Sequence, residues 1–210
     1  MSIERIVSHF KRQDLNSDEI KKLTGKEPVL YSDLSKYKSL NQLLGKENYA
    51  VVLYQTSSRL DGHFVSVSKG DNGVVRYFDS YGISSPDAEL QFTPYDKPLP
   101  KYLTHLLEEY PNFESNRVDY QGKGAISTCG RYASVACLFR NIPLPQIHEI
   151  YKMSKIPYLA DTDNLIVLLT ILALNDIPSY LEDIPRGTLQ GGGALTATSL
   201  GRPMNAEMRY

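Results

Sequence analysis

The chain has 210 residues, of which 41% are hydrophobic and 22% charged, and its formal net charge is −1. This composition is typical of one globular domain, or of a domain with a short appendage, and it excludes a general electrostatic attraction to nucleic acid or membranes. With only two cysteines, the chain is not built on a disulfide scaffold. The cysteines and the four histidines show no metal-ligand spacing, and we expect neither a metal nor another cofactor.

Residues 1–47 predict a helical lead-in that packs on the core. Apolar residues at helical spacing predict a first amphipathic helix, and its lack of a long apolar stretch predicts that there is no signal peptide. A second helix begins at Asn16, because Glu19 follows three residues later as in a capping box, and it ends at Gly25.

The core is predicted over residues 48–185 and begins with an antiparallel meander of three strands. Asn72 and Gly73 form the strongest short hairpin signal in the chain. His63 begins the second strand and Asp79 ends the third, so the hairpin brings both side chains to the same edge of the sheet. The three strands are predicted at 49–54, 63–68 and 74–79.

The rest of the core alternates loops and helices, and a glycine-rich tail follows. The apolar helix from residue 161 to 174 is too short to span a bilayer, so we expect a core helix. The other predictions are a proline-rich loop at 83–98, an amphipathic helix at 99–110, a short strand at 117–120, a helix from Cys129 to about 139, and a tail at 186–210.

Cys129 has the setting of a nucleophile. It follows Ser127 and Thr128, which are good helix caps, and it opens a helix of small residues. The free N–H groups and the dipole at a helix start favour a thiolate and can stabilise an oxyanion. Gln121 offers a side-chain amide as a second oxyanion donor. The alternative is that Cys129 is a small buried core residue.

A cysteine nucleophile needs a basic partner and a group that orients that partner. His63 and Asp79 supply these roles from adjacent strand ends. The alternative for His63 is an edge-strand histidine with a purely structural role. The remaining histidines fit the role of a base less well and are expected to be exposed or packing residues: His9, His105 and His148.

The order of these motifs resembles the adenovirus-type maturation proteases and, more distantly, the SUMO and ubiquitin-like proteases. The matching pieces are Gly-His-Phe at 62–64, Tyr-Phe-Asp-Ser-Tyr-Gly at 77–82, Gln121, and Thr-Cys-Gly at 128–130. The closest similarity is to the capsid-maturation cysteine proteases of virophages and Maverick/Polinton elements. The resemblance covers about residues 15–150, although Phe64 replaces the usual tryptophan and the loop from Gln121 to the cysteine is slightly longer.

The resemblance implies an α+β, papain-like fold with a mostly antiparallel central sheet flanked by helices and a nucleophile at a helix N-terminus. It implies that Cys129 is the nucleophile, His63 the general base, Asp79 its orienter and Gln121 an oxyanion donor. The implied function is a viral cysteine endopeptidase that cleaves capsid precursors at Gly-Gly sites, in the virion and the host cytoplasm, with no membrane partner. Whether DNA or a peptide activates it stays open.

The tail adds a possible substrate, because Leu189 precedes Gly191, Gly192 and Gly193 much as in the sites that such proteases cut. We expect self-cleavage after Gly192 or Gly193, with a flexible linker as the alternative. Three other functions remain open: a ubiquitin or SUMO-like isopeptidase, an acetyltransferase of the same fold, and a non-catalytic structural protein.

Overall fold

The computed structural model describes residues 3–56, 62–93, 99–122, 126–152 and 161–174. The predicted tail, with Leu189 and Gly191 to Gly193, lies outside these residues. The predicted division at 47 and 185 therefore stays a prediction. Within the described residues the chain forms a mixed sheet of five strands flanked by helices.

The elements follow one another as a helical N-terminal part, a strand-rich centre and a helical C-terminal part. The strands are β1 (Val29–Leu30), β2 (Tyr49–Gln55), β3 (Gly62–Lys69), β4 (Val75–Phe78) and β5 (Glu114–Ser115). The α-helices are α1 (Ile3–Phe10), α2 (Ser17–Thr24), α3 (Leu40–Leu44), α4 (Tyr102–Leu107), α5 (Cys129–Leu138), α6 (Leu144–Lys152) and α7 (Thr162–Leu174). Short 3-10 helices occupy Tyr31–Lys36, Gly45–Glu47 and Ala88–Phe92.

The sheet has the strand order β1-β2-β3-β4-β5. Its three central strands are antiparallel, with Val52 opposite Val65 and Val67 opposite Tyr77. The predicted meander is therefore confirmed. The two-residue strands at the edges are each parallel to their neighbour, which makes the whole sheet mixed.

Helices cover both faces of this sheet. Side chains alternate between the faces of a strand, and in β2 both sets are buried, which explains its continuous apolar sequence. One set, with Val52 and Tyr54, packs with leucines of α3 and α4. The other set, with Val51 and Leu53, packs with α2 and with Ala133 of α5.

The N-terminal helices complete the core around α5. Ile20 and Leu23 of α2 belong to the same cluster as Cys129, and Val7 of α1 packs with Ile171 of α7. The predicted start of α2 is confirmed, because a capping box with both of its hydrogen bonds is present. Helix α7 is the core helix that its composition predicts. None of the described helices has the length and apolarity to cross a membrane.

The predicted strand at 117–120 is wrong. The strand of this region is Glu114–Ser115, three residues earlier. Arg117 then takes a left-handed conformation with φ 49°, which interrupts an extended chain. The backbone N–H groups of Gln121 and its predecessor both donate to the carbonyl oxygen of Ser80, at 3.1 and 2.9 Å. A turn beyond β4 therefore positions Gln121.

Two further predictions need correction. The helix predicted at 99–110 is limited to Tyr102–Leu107, because a turn in which the N–H of Tyr102 donates to Pro100 precedes it and turns follow it. The proline-rich loop at 83–98 contains the unpredicted 3-10 helix Ala88–Phe92, with Glu89 buried in it. This helix brings a carboxyl group to the candidate site.

Candidate active site

His63 and Asp79 form a buried pair at one edge of the sheet. His63 is the second residue of β3, and Asp79 directly follows β4, its antiparallel neighbour. The Nε2 atom of His63 lies 3.0 Å from Oδ1 of Asp79, and the two residues are 6% and 0% exposed. The hairpin therefore joins the histidine and the acid as its register predicts, and Nδ1 is the ring nitrogen left for another partner.

Several groups hold Asp79 in place. The N–H of Tyr81 donates to Oδ1 at 2.8 Å, and the hydroxyl of Tyr77 donates to Oδ2 at 3.4 Å. Asn116 brackets the backbone, since its Oδ1 accepts from the N–H of Asp79 at 3.0 Å and its Nδ2 donates to the carbonyl at 2.7 Å. These bonds fix the carboxylate that orients His63.

Cys129 is the first residue of α5, where the sequence predicts it. Its Sγ lies 4.0 Å from the carbonyl oxygen of Gly62, the residue before His63. The side chain of Cys129 and its negative charge also raise the pKa of His63. Helix α5 packs closely against the sheet here, since a Cβ built on Gly130 would be in van der Waals contact with Phe64 at 3.4 Å. The structure thus brings Cys129, His63 and Asp79 together.

The surroundings of His63 favour its charged form. Burial lowers the pKa of His63, because it penalises the charged ring. Hydrogen bonds to Asp79 and Cys129, with the negative charges of both, outweigh burial and raise the pKa from its ordinary value of 6.5 to about 10. The ring is then an imidazolium at neutral pH, which can pair with a thiolate and protonate a leaving group.

Gln121 is buried and lies against the turn that follows β4, to which it is hydrogen bonded through Ser80. Its Oε1 accepts from the Ser80 hydroxyl at 2.8 Å. Its Nε2 donates to the carbonyl of Ile126 at 3.1 Å and to the hydroxyl of Tyr81 at 3.2 Å. Both amide hydrogens are therefore engaged within the protein here, and the predicted role as an oxyanion donor requires one of these bonds to open.

Tyr81 is a member of the site to which the sequence analysis gives no role. Its ring stacks on His63 with the centroids 4.7 Å apart and the planes inclined by 20°, while 41% of the residue stays exposed. Burial and then the negative charge of Cys129 raise the pKa of Tyr81. Tyr81 thus joins His63 to Gln121 at the surface. Its place in the sequence, two residues after Asp79, is the only signal of this role.

Thr128 is the N-cap residue of α5, as the sequence predicts, but its side chain makes no capping hydrogen bond. Its hydroxyl donates instead to Oδ1 of Asp163, the second residue of α7, at 2.6 Å. The N–H of Gly122 donates to the other oxygen of Asp163 at 2.9 Å. Asp163 is 2% exposed, and burial raises its pKa although these bonds lower it. It links the nucleophile helix to the segment after Gln121.

Glu89 is a second buried acid near the pair, and no sequence motif points to it. It is 4% exposed, and its ligand atom lies within 4.8 Å of those of His63 and Asp79. This is the type of cluster that could surround a cation. Because Nε2 of His63 is already bonded to Asp79, the geometry is that of an acid–base pair with an adjacent carboxyl group.

The other histidines lie away from this cluster, as the sequence predicts, and so does the second cysteine. His105 is exposed and contacts Glu108 at 3.0 Å, and Nδ1 of His148 lies 3.0 Å from the Tyr120 hydroxyl. Cys137 is a free thiol in the core, and burial raises its pKa to about 12. It is therefore a poor nucleophile at neutral pH.

Comparison with known proteins relates the chain to a viral protein. No protein-family model matches the chain. A protein of Sputnik virophage named "Uncharacterized protein V9" is 27% identical to it over 164 residues, which is 74% of this chain and 93% of the virophage protein. This chain is similar to a virophage protein. The virophage part of the predicted resemblance is thereby supported, and the peptidase part stays a prediction.

Proposed function

We propose that the chain is a cysteine endopeptidase of the adenovirus-type, papain-like fold that processes capsid precursors. The observation that carries the proposal is that His63 Nε2 lies 3.0 Å from Oδ1 of Asp79, while Sγ of Cys129 lies 4.0 Å from the carbonyl oxygen of Gly62, the residue before His63. This arrangement is that of a nucleophile, a proton-transferring base and an orienting acid.

The proposed reaction is acyl transfer through sulfur. The Cys129 thiolate attacks the scissile carbonyl carbon and forms a C–S bond, and the carbonyl electrons move to an oxyanion near the start of α5. The His63 imidazolium gives its proton to the leaving amine as the C–N bond breaks. The neutral ring then takes a proton from water, whose oxygen attacks the thioester and releases the acid and the thiol.

The proposed substrates are viral polypeptides with Gly-Gly sites, cut in the virion and in the host cytoplasm. Similarity to a virophage protein supports the viral setting. The segment that contains Leu189 and Gly191 to Gly193 offers a substrate within the chain. A diglycine before the scissile bond suits a narrow site that excludes side chains, so we propose self-cleavage after Gly192 or Gly193.

The test is incubation of the full chain with the capsid precursors of its virus and with a peptide spanning residues 187–197. Intact-mass measurement and N-terminal sequencing locate the cuts and follow the chain's own mass. We expect cleavage after diglycine, no cleavage by Cys129→Ala, and a loss of roughly a hundredfold or more in His63→Ala. His105→Ala is the matched control and keeps full activity.

The same experiment separates the alternatives. Cutting by Cys129→Ala at the wild-type rate would refute the peptidase assignment. Cleavage of a ubiquitin-like conjugate with all precursors left intact would favour an isopeptidase. Equal full-length masses for the wild type and Cys129→Ala after long incubation would remove self-cleavage.

A further inference from the structure

Glu89 is a buried acid with an unused hydrogen-bonding atom. It lies in the 3-10 helix Ala88–Phe92 and is 4% exposed. Its Oε1 has no hydrogen-bond partner among the described residues. A carboxyl group buried in this way is costly unless another interaction compensates. The surroundings of Glu89 must therefore supply that interaction.

The segment around Glu89 is held firmly in place. Asp87 accepts hydrogen bonds from the N–H of Thr104 at 3.0 Å, from the Thr104 hydroxyl and from the Tyr31 hydroxyl. The hydroxyl of Tyr54 in β2 donates to the carbonyl oxygen of Pro86. Bonds to α4, to the sheet and to the 3-10 helix at Tyr31 thus fix the position of Glu89.

Two groups of the candidate site lie close to the Glu89 carboxyl. A carboxyl oxygen of Glu89 lies within 4.8 Å of a ligand atom of His63 and of one of Asp79. Burial raises the pKa of Glu89, the positive charge of His63 lowers it and the negative charge of Asp79 raises it. The charge of Glu89 also acts on two tyrosines of the site, Tyr77 and Tyr81.

The titratable groups around the His63 ring come from four elements. Asp79 and Tyr81 follow β4, Tyr77 lies in β4, Cys129 begins α5, and Glu89 lies in its 3-10 helix. A neighbouring negative charge stabilises an imidazolium, and it does so more strongly in a buried site than at the surface. An ionised Glu89 therefore adds to the effect of Asp79.

We propose that Glu89 is a positioning residue for the site, a second carboxylate that adds to the stabilisation of the His63 imidazolium by Asp79 and so extends the site's working range to higher pH. Its role in catalysis rests on the proposed peptidase function. The electrostatic contact with His63 does not, because it can be measured on the ring itself. Below the pH at which Glu89 takes up its proton, the added stabilisation is lost.

The experiment is an NMR pH titration of the histidine rings in the full-length protein, for wild type, Glu89→Gln and Glu89→Asp. Glu89→Gln keeps the shape and removes the charge, so we expect the His63 pKa to fall by about one unit, a tenfold change in the protonation equilibrium. Glu89→Asp keeps the charge and is expected to retain most of the wild-type value. The matched control is Glu108→Gln, which removes the exposed acid beside His105 and leaves His63 unchanged.

An unchanged His63 pKa in Glu89→Gln would overturn the proposal, and so would equal falls in Glu89→Gln and Glu89→Asp. A measurement on the wild type alone guards against a variant that does not fold: the Glu89 carboxyl resonance must shift as His63 titrates, and a flat resonance also overturns the proposal.

Activity separates this inference from the proposed function. If peptide cleavage is observed, the alkaline limb of its pH profile moves to lower pH in Glu89→Gln, by the same amount as the measured fall in the His63 pKa. A limb that does not move refutes the role of Glu89 and leaves the peptidase standing. A lowered His63 pKa in a chain that cuts nothing refutes the peptidase and leaves the contact standing.

Discussion

At the scale of single residues, the site is built from side chains that are held before any substrate arrives. His63 has one ring nitrogen bonded to Asp79, and the carboxylate of Asp79 accepts from Tyr81 and Tyr77. Asn116 holds the backbone of Asp79 on both sides. Groups fixed in this way lose little freedom when a reaction begins, which is the structural requirement of a catalytic constellation.

The raised pKa of His63 predicts a dependence of stability on pH. The folded protein holds a proton on this ring up to about pH 10, whereas the unfolded chain releases it near 6.5. The stability that the ring contributes is therefore complete below 6.5 and is lost as the pH rises through about 10. We expect the free energy of unfolding to fall by at least about 1 kcal/mol more in wild type than in His63→Gln between these limits.

Urea unfolding at several pH values measures this difference, and groups common to both proteins cancel in the comparison. Parallel curves for wild type and His63→Gln across the whole range would contradict the assigned ion pair. If the free energy of unfolding fell more steeply with pH in His63→Gln than in wild type, the contribution of the ring to stability would have the opposite sign.

Part of the site can be predicted at this scale and part cannot. Alternation and the Asn72-Gly73 turn fix the hairpin register, so the meeting of His63 with Asp79 can be predicted from sequence. Asn116 and Glu89 reach the site through packing between distant segments, and nothing in their local sequence shows a partner. A single chain carries no signal for such contacts.

At the scale of elements, the turn after β4 positions most of the site residues. It contains Asp79, Ser80, Tyr81 and Gly82, and it receives Gln121 through Ser80. The N–H of Gly82 closes the turn by donating to the carbonyl of Asp79 at 2.9 Å. This turn, and not the strand that the sequence predicts at 117–120, positions Gln121.

Gly82 gives a test of this turn, and Gly73 is its matched control. Both have a left-handed φ, of 72° and 81°. A Cβ on Gly82 would lie 2.6 Å from the backbone of Val118, whereas one on Gly73 meets nothing within 4 Å. We expect Gly73→Ala to cost about 1 kcal/mol of unfolding free energy and Gly82→Ala at least about 2 kcal/mol more.

Urea unfolding of the two variants measures these costs. Equal losses in Gly82→Ala and Gly73→Ala would show that the contact between the turn and the 118–119 backbone does not constrain the site.

The same scale shows why some elements are predictable from sequence. Helices α2 and α5 follow from a capping box and from small residues after a loop, which are local signals. The short 3-10 helix Ala88–Phe92 depends on Asp87, whose partners Tyr31 and Thr104 are distant in sequence. Tertiary contacts, and not local preference, specify it.

At the scale of the whole molecule, the fold delivers three distant segments to one edge of a sheet. The central hairpin joins His63 to Asp79, and α5 packs against β3 so that Cys129 reaches the same edge. Helix α7 supports this arrangement through Asp163, which accepts hydrogen bonds from Gly122, directly after Gln121, and from Thr128, directly before Cys129. The sheet and helices thus act as a rigid frame for the site.

The central claim is that His63 activates Cys129, and the rate of Cys129 alkylation by iodoacetamide at neutral pH tests it most directly. Peptide mapping by mass spectrometry follows both thiols, with buried Cys137 as the internal reference. We expect Cys129 to react at least about tenfold faster than Cys137 in wild type, and to slow about tenfold in His63→Ala but not in His105→Ala. Removal of His63 opens space beside Cys129, so a slower rate in His63→Ala cannot come from reduced access to the thiol. An unchanged or faster rate would contradict the account.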